Sequence, residues 1–158
     1  MAFIVADDEG LVTDASSYLS VQESEDILVN LGYAELPSEQ DLVLATLYID
    51  TYFDPASYVL NQEQKLLWPR EPFEDTQGRE VEGVPFEIKR ATALVAAEAL
   101  NRDLFVVEPA VISEAFGDSR KTFSGGVKND GRLGSILLRL SKLGYGGKST
   151  SSVTITRA

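Results

Sequence analysis

The sequence predicts a mainly α protein: a small four-helix domain with a loop and β-hairpin insertion and an extended C-terminal arm. Three observations carry this expectation. Four segments place apolar residues at helical spacing, and most are bounded by a capping or stop residue. At 158 residues and 44% hydrophobic content, the chain suits one domain with a real core. The last eight residues, Ser-Ser-Val-Thr-Ile-Thr-Arg-Ala, follow a glycine-rich stretch and alternate polar with β-branched side chains, the pattern of a strand seeking another sheet edge.

Residues 1–19 read as an N-terminal arm or edge strand, with Phe3, Ile4 and Val5 able to add to a sheet. Ser20-Val-Gln-Glu23 has the spacing of a capping box. The helix it opens puts Val21, Ser24, Leu28 and Leu31 on one face, and Gly32 is placed to stop it. Ser38 is the next N-cap, with Asp41 in the first turn. From Asp41 to Phe53, Leu42, Ala45, Ile49, Tyr52 and Phe53 form a stripe that Leu44, Leu47 and Tyr48 widen, so burial over much of the circumference is expected. Asp54-Pro55 ends that helix. A long connection, 56–83, holds the turn Asp75-Thr-Gln-Gly78 as the tip of a small hairpin. Pro85 opens a third helix with Ile88, Ala91, Leu94, Val95 and Ala99 inward.

Phe105 to Ile112 is β-prone but interrupted by Pro109, and Ser124-Gly-Gly reads as loop. Asp130 is placed to cap a fourth helix, in which Leu133, Ile136, Leu137 and Leu140 form the buried stripe. Arg139 and Lys142 fall near its C-terminus, where the helix dipole favours cations, and Gly144 follows. Tyr145 to Lys148 reads as a flexible hinge. The expected division is 1–19 as arm, 20–144 as helical domain and 145–158 as C-terminal arm.

The chemistry of an enzyme finds little support. There is no cysteine and no histidine, so thiolate catalysis and the commonest general base are absent. No Gly-x-Ser-x-Gly, P-loop or Gly-x-Gly-x-x-Gly motif occurs. The acidic runs Asp7-Asp-Glu9 and Glu23 to Asp26 lack the tight-loop spacing of a carboxylate metal site. No catalytic residue, cofactor or metal is expected. Nor is a membrane span, since no apolar run is long enough. The chain opens without a basic leader, and on that ground it is expected to be made inside the cell.

Charge is unevenly spread. Residues 117–158 carry eight Lys/Arg against two Asp, a net +6, which leaves −17 on residues 1–116 of a chain whose total is −11. Arg120, Lys121, Lys128 and Arg132, with Phe123 among them, are the candidate DNA-facing residues. The single tryptophan lies in Leu66-Leu-Trp-Pro-Arg70 between two helices. Trp68 is expected to close the core, with Pro69 and Arg70 holding the loop's outer face ready for a neighbouring subunit.

Ser20-Val-Gln-Glu-Ser-Glu-Asp26, the buried second helix, Gln64-Lys-Leu-Leu-Trp-Pro-Arg70, the Val84-Pro85 helix start and the late Leu-rich helix follow one another in order. Together they resemble the head–tail connector (adaptor, head-completion) proteins of tailed bacteriophages. Some members of that group are described as DnaT-like single-stranded-DNA-binding proteins. The resemblance covers roughly residues 18–144 and is most specific at Gln-x-x-x-Trp-Pro-Arg. It implies a structural protein of the virion, assembled in the host cytoplasm, that forms a ring of typically twelve copies beneath the portal. Such a ring extends the channel for genomic DNA and docks the tail. Its partners are then the portal protein, tail or tail-tube proteins and other copies of itself. The arm would reach the portal or a neighbouring subunit through Tyr145, Val153, Thr154, Ile155 and Arg157. The alternative is a DnaT-like single-stranded-DNA-binding module.

Overall fold

A computed structural model describes residues 2–105, 109–115, 120–127 and 131–147. Its elements run α1 (Val21–Asn30), α2 (Glu39–Tyr52), β1 (Phe73–Glu74), β2 (Glu80–Val81), α3 (Phe86–Ala99), β3 (Pro109–Ala115), β4 (Arg120–Val127) and α4 (Gly131–Lys142). The fold is mainly helical, with four helices and two small antiparallel strand pairs among the described residues.

Local chemistry sets the helix ends. The Ser20 hydroxyl accepts from the Glu23 N–H, and the Glu23 carboxylate accepts from the Ser20 N–H, so two orphan donors of α1 are satisfied. Ser38 and Asp41 do the same for α2. At the end of α1, Tyr33 N–H donates to the Leu28 carbonyl and Gly32 N–H to that of Val29, with Gly32 at φ +85°. This is a Schellman turn. α4 ends the same way: Tyr145 N–H donates to Leu140 and Gly144 N–H to Ser141, with Gly144 at φ +82°. Pro85 stands one residue before α3 rather than as its first residue.

α3 is the central helix, packed against α1, α2 and α4. Ile88, Ala91, Ala93, Val95, Ala96 and Ala97 are all buried, a wider face than its apolar stripe predicts, because small side chains let three helices approach. α2 corrects the expectation in the other direction. Leu42, Ala45, Tyr48, Ile49 and Phe53 are buried, but Leu44 and Leu47 face outward. α4 buries Leu133, Leu137 and Leu140. The turn from Asp75 to Gly78 joins β1 to β2, with Phe73 opposite Val81 and Glu74 opposite Glu80.

Residues 105–128 depart most from the sequence reading. Pro109 begins a strand instead of breaking one, where no ladder bond from its nitrogen is needed. Ser124-Gly-Gly lies within β4 rather than in a loop. Pro109 pairs with Val127 but the next residue, Ala110, pairs with Ser124, so Gly125 and Gly126 fall at a register shift. Glycines are suited to such a bulge.

Both ends of the described chain belong to the body. The N-terminal segment returns on itself, with Val5 bridged to Ser17, and Tyr18 and Leu19 fully buried. Asp8 accepts from the Val84 N–H at 3.0 Å, and Lys65 N–H donates to Thr13 at the same distance. Tyr145, expected to open an arm, is instead driven into the core by the Schellman turn before it. Its ring meets Phe73 edge-on at 5.7 Å and lies 6.1 Å from Trp68. The expected hinge is pinned as well: Tyr145 C=O accepts from Ala56 N–H, and Gly147 N–H donates to the Asp54 carbonyl.

Candidate nucleic-acid interface

α4 carries the described part of the basic surface. Arg132, Ser135, Arg139 and Lys142 recur at helical spacing and are all exposed. Two carboxylates of α3 orient the arginines. Glu98 accepts from Arg132 and from Arg102, each at 3.1 Å, and Glu87 takes Arg139 through two donors at 3.0 and 3.3 Å. The glutamate side chains are only 13% and 17% exposed, whereas those of Arg132 and Arg139 are 77% and 54% exposed, so the guanidinium planes are held from below. A guanidinium has five donors, and the pair with Glu87 engages two of those on Arg139. Glu87 also raises the Arg139 pKa, first by its hydrogen bond and then by its charge.

Between α3 and α4 lies a cleft of about 160 Å³ with an apolar floor of Ala91, Leu94, Ile136 and Leu140 and with Arg90 and Arg139 at its walls. Arg90 was not singled out in the sequence, since it sits on a helix otherwise read for its buried alanines. Arg120 and Lys121 lie on β4, their backbones in register with Ala115 and Glu114. The fold therefore places three of the four predicted DNA-facing residues on the last two described elements. Lys128 lies outside the described residues, as do Val153, Thr154, Ile155 and Arg157 of the predicted arm and the cap residue Asp130.

The expected outward orientation of Arg70 in the tryptophan loop is corrected. Trp68 does close the core, at 1% exposure and with its ring 6.1 Å from Phe73. The peptide joining it to Pro69 is cis. Arg70, however, points inward and is 9% exposed. Its guanidinium donates to the carbonyls of Leu67 at 2.8 Å, Ala56 at 2.9 Å and Ser57, and lies 5.9 Å from the Trp68 ring centre. Gln64 completes the loop by donating to Leu66 and Pro69 carbonyls. The Gln-x-x-x-Trp-Pro-Arg pattern thus builds the body: the polar ends of the motif satisfy loop carbonyls that packing has taken from water.

A second feature went unnoticed in the sequence. Asp50 on α2 accepts from the Tyr18 hydroxyl and from the Leu67 N–H at 3.2 Å, tying the N-terminal segment and the tryptophan loop to one helix. Burial pushes its pKa up to about 6, against the partial relief given by those hydrogen bonds and by the Arg70 charge. The signal available was a lone acid inside an otherwise apolar run, Leu-Tyr-Ile-Asp-Thr-Tyr.

Among the described residues, no three acidic side chains converge as a metal site, and no helix is long and apolar enough to cross a membrane. No curated protein and no solved structure matches the chain. A family model does match, over residues 1–157, and its description is "Putative DnaT-like ssDNA binding protein". The chain belongs to that family.

Proposed function

We propose that this protein is a non-catalytic single-stranded-DNA-binding module that grips the phosphate backbone with its C-terminal third. The observation that carries the reading is the division of charge along the fold. Residues 117–158, which include β4 and α4, hold a net +6, and the preceding body holds −17. Family membership supports DNA as the partner. A strand with flexible phosphates can settle against the basic elements while the acidic body is repelled, which fixes one orientation on the DNA. The Arg90–Arg139 cleft offers an apolar floor between two guanidinium groups, a setting in which an unpaired base can stack.

The test is charge reversal. Lys121→Glu combined with Arg132→Glu is expected to weaken binding to an oligothymidylate at least about tenfold, as measured by fluorescence anisotropy at low salt, and to lower the salt slope by about one to two. Reversal of Lys65 and Lys89, on the acidic body, is expected to change affinity little. Equal affinity in all variants would end this reading.

A second reading keeps the connector resemblance: a ring of copies beneath a portal, at the head–tail interface of a virion, with portal and tail proteins as partners and DNA passing through. Two features favour it. An acidic body lines a channel without adhering to phosphate. The exposed Leu44 and Leu47 on α2 give one helix an apolar outer edge of the kind that subunits cover. Native mass spectrometry over a range of concentrations tests it: a closed ring supports the connector, and a monomer at every concentration opposes it.

A further inference from the structure

A second cavity lies away from the basic elements. It is a groove of about 620 Å³ between residues 2–16, α2 and residues 65–67. Ile4, Val43, Leu47, Leu66 and Leu67 give it apolar walls, and Leu47 is 53% exposed. Asp50 lies in its lining. One carboxylate oxygen accepts from Tyr18 and the other from Leu67, so each keeps capacity for a further donor. Thr46 lines the same groove at 1% exposure, and its hydroxyl has no partner among the described residues. The charged and titratable groups around Asp50 are few. Tyr18 comes from the N-terminal segment. Arg70 comes from the tryptophan loop, with its hydrogen bonds directed to backbone carbonyls. Lys65 and Asp14 lie among the lining residues and pair with each other at 2.6 Å. Among the described residues, no cation is hydrogen-bonded to Asp50. A large apolar groove with one convergent acid is the form of a ligand site.

We infer that this groove docks an aliphatic segment of a protein partner through a lysine, whose ammonium pairs with Asp50 while its stem and flanking side chains cover Ile4, Val43 and Leu47. With Lys65 paired to Asp14, the carboxylate of Asp50 leaves the groove one net negative charge, which favours a cationic ligand. An ammonium on a slender, flexible stem can carry its charge to a carboxylate set among apolar walls. The described lining includes no residue of α4, which sets the site apart from the basic face of that helix.

The experiment is an amide NMR titration of the full chain with two capped tripeptides, Leu-Lys-Leu and its counterpart with norleucine replacing lysine. The lysine peptide is expected to shift Thr46, Leu47, Asp50 and Leu66, with an affinity about tenfold above the norleucine peptide, since a charge-assisted hydrogen bond is lost in the latter. That advantage vanishes in Asp50→Asn. It also fades as pH falls from about 7 to about 5, because Asp50 takes up its proton near 6. Leu47→Ser, a change at an exposed wall that leaves folding intact, is expected to weaken both peptides. Equal binding of the two peptides, shifts centred elsewhere, or no shifts would overturn the inference.

Discussion

Four side chains, Trp68, Arg70, Asp50 and Asp75, make separate predictions about stability. Trp68 is the largest fully buried residue, and truncating it leaves a cavity that Phe73 and Tyr145 cannot fill. Trp68→Ala is expected to cost roughly 3–5 kcal/mol, read from urea unfolding. Arg70→Lys is expected to cost about 2 kcal/mol, since one ammonium cannot reach three loop carbonyls in the plane that the guanidinium spans. Asp50 makes a prediction about pH. Its folded pKa of about 6 lies above the ordinary 3.8, so the folded chain keeps a proton that the unfolded chain releases. Stability from this group therefore falls as pH rises from about 4 to about 6 and is level above that, a loss on the order of 2–3 kcal/mol. Asp75 acts oppositely. The Arg79 N–H holds its carboxyl below the ordinary value, so its contribution is present above that value and is lost as pH drops through the lowered one. Melting curves across this range are expected to show Asp50→Asn removing the decline between about pH 4 and pH 6. An unchanged profile would show that burial does not govern Asp50.

At the scale of elements, the sequence was most legible where one residue type does one local job. Ser20, Ser38, Gly32 and Gly144 announce helix ends, and the structure uses each as a cap or stop. Asp75 to Gly78 announces its turn. The rest needed tertiary context. Leu44 and Leu47 read as core, yet among the described residues α2 packs on α3 through its other side and leaves these two side chains exposed. Tyr145 read as the start of an arm because the glycines after it suggest freedom. Gly146 instead sits at φ +122° with its α-carbon so close to residues 54–56 that an added Cβ would lie 2.1 Å from the Asp54 carbonyl. Its role is close approach of two backbones, and nothing local distinguishes that from a hinge. Gly146→Ala is accordingly expected to lower stability by roughly 1–3 kcal/mol and to release Tyr145. Gly131→Ala, at the open start of α4 with nothing within 4 Å, is expected to be neutral or slightly stabilising. Comparable melting of the two variants would contradict that assignment.

For the whole molecule, the charge division was visible from composition, but its placement was not. Only the fold shows that Arg132 and Arg139 stand on partly buried glutamates of α3, and that Trp68 and Arg70 of the loop both pack inward. On the proposed reading, DNA meets the basic elements β4 and α4, with the acidic body as a counterweight of opposite sign. The measurement that tests this account most directly is fluorescence anisotropy of a labelled oligothymidylate titrated with the wild-type protein across a salt series. With about four cations engaged, the logarithm of affinity is expected to fall with that of salt at a slope near about −3. Absence of binding at the lowest salt, or an affinity indifferent to salt, would contradict it.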